Sequence, residues 1–415
     1  MKISKNKPLV SILIPVYNVE SYLNVCLDSV ITQTYGNMQI FLCDDGSTDN
    51  SLSICNDYKK KDNRISVVNQ DNSGLSVARN NMLKRANGEY VYFLDSDDYI
   101  SQNAIEHLLN TAIETNSDVV MFLCTEIDQM GEIVETRQYY QKKGNYEQGT
   151  NGRKLFELLC KNKDFKSGAV FLFIKRDLLL KSNLRFYPNI LHEDELFTFL
   201  LLQFAERVTY LDKELYYRRI RDNSITTSEI TAAHIIGRCT VICEIIDFCK
   251  RHNLLESSYC YISHIKSLVS SFKRNYLQLK MEERADCDDI VSKMIYKWTS
   301  ISDDSISVIP NGSFAKMVLY GAGKECKSLL EFMDKFKTEE IIEIWDTNAE
   351  NIGQVRRHTV IRPQFDTENK GILVVICIMN EEIKRKIKQQ FENYGYKDII
   401  DSQSYIFYKM MKENT

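Results

Sequence analysis

Short apolar runs that alternate with amphipathic stretches are the feature that most constrains how this chain folds. Between residues 9 and 124 the runs LVSILI, QIFLC, RISVV, YVYFL and DVVMFLC are almost continuously hydrophobic. Strands of this kind are buried on both faces, which is typical of parallel sheets covered by helices. The stretches between them have helical periodicity, and they are residues 19–33, 51–60, 75–86 and 103–114. The alternation predicts an α/β fold with a mostly parallel sheet between helices.

Polar clusters follow three of these runs, at the point where each strand should end. They are PVYN at residues 15–18, DDGS at residues 44–47 and DSDD at residues 95–98. In open α/β sheets, ligands bind beyond the carboxyl ends of the strands. We therefore expect the three clusters to share one edge of the sheet and to form a binding site there.

The acids of these clusters suggest one kind of ligand. Asp95 and Asp97 lie two residues apart and can hold one Mg²⁺ ion, which takes few protein carboxylates and also binds substrate phosphates. Asp44 or Asp45 can accept a charge-assisted hydrogen bond from the imide N–H of uracil or from ribose hydroxyls. Arg79, on the helix after the third run, is placed to contact the same nucleotide. Each motif alone is equally compatible with a solvated turn, so the interpretation depends on their order along the chain.

Composition narrows the classes of function. A length of 415 residues predicts two or three domains. A net charge of −4 argues against a nucleic-acid partner. The twelve cysteines include no CxxC pair, and the beginning of the chain lacks the apolar region of a signal peptide, so we expect a cytoplasmic location. The most apolar run, residues 196–205, is too short to span a bilayer and predicts a buried helix.

The strand signal changes along the chain and divides it into three predicted domains. Strands fade after residue 227, helices are predicted up to residue 304, and a second α/β pattern follows. The predicted domains are therefore an α/β domain, a helical linker or acceptor region and a smaller Rossmann-like α/β domain, at residues 1–227, 228–304 and 305–415.

The last domain contains VLYGAGKEC, which resembles a dinucleotide-binding fingerprint. Gly321 and Gly323 would form its loop, and Asp346 would lie at the end of the next strand, where an acid can bind ribose. Cys326 stands where glycine or alanine is expected, which weakens the match. We interpret these residues as a second nucleotide site or as part of a binding module without catalysis.

Four motifs occur in a fixed order in residues 8–100, namely PVYN, DDGSTD, GLSVARN and GEYVYFLDSDD. In this order they closely resemble the N-terminal half of family 2 glycosyltransferases of the GT-A fold. The resemblance implies transfer of a sugar from a nucleotide donor, a UDP-sugar in the first instance, with inversion at the anomeric carbon. It also implies a Mn²⁺ or Mg²⁺ ion. The Rossmann-like end of the chain is similar to domains of bacterial surface-polysaccharide enzymes, which implies a role in capsule or O-antigen synthesis.

The resemblance assigns roles to single residues of the motifs. Asp97 would be the principal metal ligand, and Asp95 would contact both metal and ribose. The other residues implied to bind the donor in this part of the chain are Pro15, Tyr17, Asn18, Glu20, Asp44, Asp45, Arg79 and Ser96.

An inverting transfer also needs a general base that takes a proton from the acceptor hydroxyl. In the family, a Glu-Asp pair at the start of a helix lies on the acceptor side, and HEDELF resembles it. This implies Asp194 as the base, with Glu193 as the alternative, although both acids would also favour a helix N-terminus without any catalysis. Downstream, ELYYRRIRDNSITTS resembles a loop that closes over the donor. Arg218 or Arg219 would bind the diphosphate there, and Ser224 would add a hydrogen bond.

Two other functions remain open from the sequence. One is a module that binds a nucleotide sugar without transferring it, and the other is a nicotinamide-dependent oxidoreductase in the C-terminal domain. The expected acceptor is a glycan or a lipid-linked saccharide at the inner face of the cytoplasmic membrane. The segment SYIFYKMMK mixes aromatic residues with lysines, which is compatible with peripheral membrane contact, but a terminal helix docked on the protein explains it better. The sequence permits an oligomer.

Overall fold

A computed structural model describes most of the chain. The described residues are 7–134, 143–221, 229–301, 316–335, 342–364, 372–378, 380–394, 396, 398–401 and 405. Ser224 and nearly all of SYIFYKMMK lie outside them. The chain divides into two compact units, residues 1–297 and 298–415.

The first unit contains one eight-stranded sheet and the helices that cover it. Its strands are β1 Val10–Val16, β2 Met38–Asp44, β3 Ile65–Asn69, β4 Tyr90–Phe93, β5 Tyr99–Ile100, β6 Val119–Ile127, β7 Leu172–Lys175 and β8 Val208–Arg219. Its helices are α1 Glu20–Ile31, α2 Ser51–Lys61, α3 Leu75–Arg85, α4 Ala104–Glu114, α5 Gly152–Asn162, α6 Arg176–Lys181, α7 Glu193–Phe204, α8 Ala232–Arg251, α9 Leu254–Ser257, α10 Tyr259–Gln278 and α11 Asp288–Thr299. The strands and helices predicted between residues 9 and 124 are confirmed.

The sheet has the strand order β3-β2-β1-β4-β7-β6-β8-β5. The strands β3, β2, β1 and β4 are parallel, and so are β6 and β8, whereas β7 is antiparallel to both of its neighbours. Two antiparallel steps return β6 to the direction of β4. The carboxyl ends of β1, β2, β4, β6 and β8 therefore lie at one edge, and the predicted α/β class with a mostly parallel sheet is confirmed.

The segment before Ser224 differs from the prediction. A loop was expected there, but residues 214–219 form the second half of β8. This strand pairs with β6 along most of its length, while its other neighbour, β5, has only two residues. One edge of β8 thus has little strand cover, and residues 212–214 are exposed. A strand in this position needs no continuous apolar run, which is why the sequence pattern missed it.

Apolar side chains from both faces of the sheet form the core of the first unit. Residues such as Ile12, Tyr92 and Phe173 are fully buried between the helices. Residues 196–205 lie mostly in α7, and the expected buried helix is confirmed because most of its side chains are inaccessible. All twelve cysteines are free thiols. Among the described residues, no helix has the length and apolarity needed to cross a membrane.

The second unit contains a six-stranded sheet of order β11-β12-β10-β9-β13-β14. All neighbouring strands in it are parallel except β11 and β12. The first strand of this unit, β9, lies in the middle of the sheet. The strands β10 and β12 follow on one side of it, and β13 and β14 lie on the other side. Its strands are β9 Lys316–Tyr320, β10 Ile342–Trp345, β11 Gln354–Val355, β12 His358–Ile361, β13 Ile372–Ile376 and β14 Asp398–Asp401, and its helices are α12 Lys324–Lys335, α13 Ala349–Ile352 and α14 Glu381–Asn393.

Candidate active site

The loops after β1 and β2 are joined to each other at the carboxyl edge of the first sheet. Asn18 has a left-handed φ of +48°, and its Oδ1 accepts a hydrogen bond from the amide of Thr48 at 2.8 Å. Ser47 Oγ accepts one from the amide of Asn18 at 3.1 Å. Glu20 Oε2 accepts bonds from the main chain and the side chain of Asn50, at 2.9 and 2.7 Å. Asn18 and Glu20 therefore hold two loops together beside the expected nucleotide pocket.

Three residues expected to contact a donor differ in their exposure. Pro15 is buried within β1, whereas Tyr17, two residues later, is 48% exposed. Ser96 is almost completely buried, with 6% of its surface accessible. Of these three, Tyr17 presents the largest accessible surface to a ligand at this edge.

Asp44 and Asp45 are adjacent at the end of β2 but have different surroundings. Asp45 accepts bonds from Gln70 Nε2 and from the amides of Ser73 and Gly74, at 2.7 to 2.8 Å. It therefore organises the loop that leads into α3. Asp44 is 1% exposed and accepts one long bond, from the amide of Ser47 at 3.2 Å, while its Oδ1 is buried without a partner among the described residues. A buried carboxylate oxygen without a partner is costly, so Asp44 is the better candidate to bind a ligand.

The cluster after β4 forms a turn, in which the amide of Asp98 donates to the carbonyl of Asp95 at 3.2 Å. The side chains of Asp95 and Asp97 remain 34% and 20% exposed. Asp98 is buried and accepts bonds from Tyr216 Oη at 2.5 Å and from the amide of Arg219 at 2.6 Å. Burial, together with Asp97 and Asp95, raises the pKa of Asp98 well above its usual value. Asp98 thus attaches the turn to β8, while the side chains of Asp95 and Asp97 stay partly exposed.

Arg79 connects this turn with the acids at the start of α7. Its Nη2 donates to Asp95 at 2.8 Å, and its Nη1 donates to Glu193 at 2.9 Å and to Asp194 at 3.0 Å. The residue is completely buried, and its guanidinium lies 5.0 Å from the centre of the Phe186 ring. The resemblance implied contact between Arg79 and a nucleotide base. In the structure, its terminal nitrogens bind three carboxylates.

The two acids at the start of α7 are not equally accessible. The side chain of Glu193 is 7% exposed and that of Asp194 is 28% exposed. Burial and the neighbouring Asp194 raise the pKa of Glu193 to about 7, although Arg79 opposes this change. Burial also raises the pKa of Asp194, against the effect of Arg79 and of a hydrogen bond from the amide of Ala169. Asp194 is therefore a basic carboxylate in a fixed position that a ligand can reach.

Helix α8 packs against the segment that leads into α7. A Cβ atom on Gly237 would lie 2.3 Å from the carbonyl oxygen of Leu191, so only glycine allows the two main chains to approach this closely. The next residue, Arg238, donates to Glu195 at 3.2 Å and contacts His192 Nε2 at 3.4 Å. Burial and the Arg238 charge lower the pKa of His192 to about 3, so its imidazole is neutral. The helical region thus fixes the main chain that carries Glu193 and Asp194.

The arginines at the end of β8 contact different parts of the edge. Arg218 pairs with Glu126 of β6 at 3.1 Å. Arg219 donates through Nε to the carbonyl of Asp97 at 3.1 Å. Arg221 forms an ion pair with the carboxylate of Asp97 at 2.7 Å. Arg221 is therefore the arginine that lies against the candidate metal ligand, whereas Arg218 binds a neighbouring strand.

The donor atoms at this edge are suitable for a hard divalent cation. Asp95 and Asp97 offer partly exposed carboxylate oxygens, which are the ligands that Mg²⁺ and Mn²⁺ take in proteins. Within the described part of the chain, no group of three or more histidine, cysteine, aspartate or glutamate residues is arranged to hold a metal ion. A cation bound by these two acids therefore needs further ligands from a substrate or water, and it competes with Arg221 for Asp97.

The glycine loop of the second unit follows β9, at the point where the strand order reverses. Gly321 has a φ of +100°, and a Cβ atom on Gly323 would have no atom within 4 Å. Asp346 accepts hydrogen bonds from the amides of Ala322 and Asn348, both at 2.8 Å. The three residues of the predicted second nucleotide site are thus neighbours, but Asp346 holds the loop itself.

Sequence reasoning missed three functional candidates. Arg221 was passed over for the arginines before it, and its position after the end of β8 was the signal that could have found it. Gly237 and Arg238 lie in a helix that the sequence marked only as a linker. A glycine in the middle of a helix is a signal of close packing, since it destabilises an isolated helix by about 1 kcal/mol relative to alanine.

Known proteins are similar to the part of the chain that contains the candidate active site. Residues 11–178 match the model of glycosyl transferase family 2. Glycosyltransferase GlyA of Streptococcus pneumoniae is 38% identical over 224 residues, which are 52% of this chain and 31% of GlyA. An uncharacterized glycosyltransferase of Haemophilus influenzae is 33% identical over 232 residues, which are 55% of this chain and 86% of that protein. The chain therefore aligns with most of the second relative but with less than a third of GlyA.

A solved structure has a similar fold. S. aureus TarS, residues 1–349, in complex with UDP-GlcNAc, superposes with a TM-score of 0.54 at 22% sequence identity, covering 72% of this chain and 83% of that one. At this level of identity the likeness concerns the fold, and the GT-A fold predicted from the sequence motifs is confirmed.

Proposed function

Because the chain belongs to glycosyl transferase family 2, we propose that it transfers a sugar from a nucleotide-sugar donor to a hydroxyl group of a glycan acceptor. The observation that carries the proposal is the position of Arg79. This one buried guanidinium binds both Asp95, on the proposed donor side, and Asp194, the proposed base. Its two terminal nitrogens fix the distance between the two carboxylates, as a displacement reaction at a single carbon atom requires.

We propose a UDP-sugar as the donor. Asp44 has a buried carboxylate oxygen without a hydrogen-bond partner in the described structure, and the imide N–H of uracil is a donor that would satisfy it. Tyr17 is exposed beside it and offers a ring for stacking against the base. The TarS structure was solved with UDP-GlcNAc, which is compatible with this assignment. Asn18, Glu20 and Asp45 would act indirectly, because they hold the loops that form the pocket.

Asp95 and Asp97 would hold a Mn²⁺ or Mg²⁺ ion together with the diphosphate of the donor. A bound divalent ion neutralises the charge that develops on the leaving diphosphate. Arg221 now pairs with Asp97, so its side chain would turn from the carboxylate to the diphosphate oxygens when donor binds. We propose Arg221 for the diphosphate role that the sequence assigned to Arg218 or Arg219, because Arg218 is paired with Glu126 and Arg219 donates to the carbonyl of Asp97.

Asp194 would take the proton from the acceptor hydroxyl. It is the more exposed acid of the pair, and burial raises its pKa, which makes it a stronger base than an ordinary aspartate. Arg79 and the amide of Ala169 hold the carboxylate in place. Glu193 is too deeply buried to reach an acceptor in this structure and would position Arg79. Attack from the side of Asp194, opposite the leaving diphosphate, would invert the anomeric carbon.

The test is a screen of nucleotide-sugar donors with the purified chain, in which release of nucleoside diphosphate is measured with and without Mn²⁺. We expect release from a UDP-sugar that depends on the metal, and loss of at least about a hundredfold in rate for Asp194→Asn. Donor binding without any turnover across a broad acceptor panel would favour a binding module instead. Absence of both binding and release for every donor would refute the proposal.

The acceptor and the location are proposed from the family context. We propose a growing glycan or lipid-linked saccharide of a bacterial surface polysaccharide, such as capsule or O-antigen, as the acceptor. The reaction would take place in the cytoplasm at the inner face of the membrane, and the C-terminal unit would serve as a binding or assembly module. Sedimentation of the protein with acceptor-containing vesicles would test the membrane contact.

A further inference from the structure

A cavity of about 400 Å³ lies in the first unit, and one of its lining residues is Phe186, whose ring packs against Arg79. It is bordered by the segment 182–188, by the C-terminal half of α7 and by the last two turns of α8. Its volume is within the range of small-ligand sites. The motifs of the proposed donor site contribute none of its lining residues.

Phe186 connects the cavity to the proposed active site. Phe186 is one of the lining residues, and its buried ring stacks on Phe197 at 4.0 Å and lies under the guanidinium of Arg79. The side chain of Asn80, next to Arg79 in α3, donates to the carbonyl of Phe186 at 2.8 Å and accepts from its amide at 3.0 Å. One wall of the cavity is thus fixed to the helix that positions Asp194.

The charged groups of the cavity are not matched to each other. Arg185 donates to the carbonyl of Leu184 at 2.7 Å, and Arg251 donates to the carbonyl of Asp247 at 3.3 Å. Neither guanidinium pairs with a carboxylate of the described residues, although Glu244 lines the same space. The lining residues therefore include two arginines and one glutamate. A guanidinium that bonds only carbonyl groups retains N–H donors for an anion.

Aromatic surface accompanies these charges. Tyr187 is 38% exposed at the rim, and Phe248 forms part of the wall and contacts the ring of His252 at 4.3 Å. Apolar ring faces beside a few polar groups are typical of ligand sites, where the rings bind carbon atoms and the polar groups fix the orientation. The cavity thus combines groups for the carbon skeleton of a saccharide with groups for an anion.

The distance from the proposed base indicates which part of a ligand the cavity contacts. Leu200 and Phe204 line it, and both are in the helix that begins at Glu193. A rise of about 1.5 Å per residue places them roughly 10 to 16 Å along the helix from the acids. A ligand group held there lies beyond the hydroxyl that reacts at Asp194.

We propose that this cavity, the Arg185–Arg251 pocket, binds an anionic group of the acceptor, either a phosphodiester or a carboxylate, away from the hydroxyl that receives the sugar. The inference rests on the proposed function, since it assumes a glycan acceptor. The two guanidinium groups would bind the anion, Tyr187 would contact the adjoining sugar or polyol, and Glu244 would accept a hydroxyl hydrogen bond. The pocket would thereby select a charged acceptor over a neutral one.

The test measures binding of three probes to the full chain by calorimetry: a glycerol-phosphate oligomer, an oligogalacturonate and a neutral malto-oligosaccharide. We expect one of the two charged probes to bind, with an affinity that falls as salt is added, and the neutral probe not to bind. The double variant R185Q/R251Q should bind the charged probe at least about tenfold more weakly. The charged probe that binds identifies the anion as phosphodiester or carboxylate.

A matched control separates the pocket from net charge. The variant K60Q/K84Q removes two positive charges from exposed positions on α2 and α3 and should bind the probe as the unchanged protein does. Equal affinities for R185Q/R251Q and the unchanged protein, or no binding of either charged probe, would overturn the proposal. Donor hydrolysis in water is measured in parallel and should be the same in K60Q/K84Q as in the unchanged protein. If no donor is consumed while probe binding still depends on the two arginines, the proposed function fails and the pocket stands.

Discussion

Each of the two units has acidic residues at the carboxyl ends of its parallel strands, and these acids differ in their hydrogen-bond partners. In the second unit, Asp346 uses its oxygens for two amides of its own loops. In the first unit, Asp44 keeps one oxygen without a partner in the described structure, and Asp97 faces an arginine side chain. Amide partners cannot move away without unfolding the loop, whereas a side chain can. The first edge is therefore the better candidate for a ligand site.

Asp45 shows that this difference is set by the partners and not by the position along the chain. It follows a strand, as Asp346 does, and it too accepts main-chain amides, from the loop before α3. Its neighbour Asp44 has the same residue type and nearly the same position, but a different environment. An acid at a strand end is thus a candidate ligand only when its hydrogen bonds leave it available.

The sharpest test of the comparison replaces one acid at each edge. Asp97→Asn should reduce sugar transfer by roughly a thousandfold, because a metal ion supplies several kcal/mol of transition-state stabilisation. Asp346→Asn should leave the rate of transfer unchanged. Rates are measured by nucleoside diphosphate release at saturating Mn²⁺. A comparable loss of activity in both variants would mean that the second edge also takes part in the reaction.

Removal of Arg79 should have the largest effect on folding. Arg79→Leu leaves Asp95, Glu193 and Asp194 close together without their shared cation, and breaking a buried ion pair in this way costs about 3–5 kcal/mol. Urea unfolding of the first unit measures the change. Arg64→Leu, which breaks a partly exposed pair with Asp62, is the control and should cost less than about 1 kcal/mol. An equal loss in both variants would contradict the role assigned to Arg79.

Two glycines, one in each unit, allow a further comparison of the two units, with a smaller expected effect. Gly237→Ala places a Cβ atom 2.3 Å from the carbonyl of Leu191, so α8 or the turn before α7 must move. We expect a loss of about 1–3 kcal/mol in the free energy of unfolding and a lower kcat, because Leu191 lies just before the start of α7, which carries Asp194. Gly323→Ala meets no atom within 4 Å and should change stability by less than about 0.5 kcal/mol. A normal kcat for Gly237→Ala would show that α8 does not position the base.

The smallest expected effect concerns pH. The pKa of Glu193 is raised to about 7 in the folded protein, against about 4.5 for an ordinary glutamate. Its proton is therefore held more tightly in the folded than in the unfolded state. The resulting stabilisation is complete below pH 4.5 and is lost as the pH rises to about 7. Glu193→Gln should flatten the dependence of the urea midpoint on pH in this interval, and an unchanged slope would assign the dependence to other groups.

The sequence predicted the strands β1, β2, β3, β4 and β6, because buried strands need apolar runs. It also predicted that the polar ends of β1, β2 and β4 converge, because parallel strands share an edge. It could not predict β8, whose edge is largely without a strand neighbour and whose residues are accordingly polar. It also could not predict the pairing of Arg79 with Glu193 and Asp194, which lie 114 and 115 residues away, or the pairing of Arg221 with Asp97 across 124 residues. Such contacts depend on how distant elements pack, which local periodicity does not encode.

The buried position of Arg79 has a consequence for the evolution of this fold. A chain that lost the arginine first would have to keep three neighbouring carboxylates, of which Glu193 is buried, without a counter-charge. A chain that lost the carboxylates first would keep an unpaired buried cation. Single steps away from the cluster are therefore selected against through folding, independently of any activity. We expect relatives that have given up catalysis to retain all four residues or to replace several of them together.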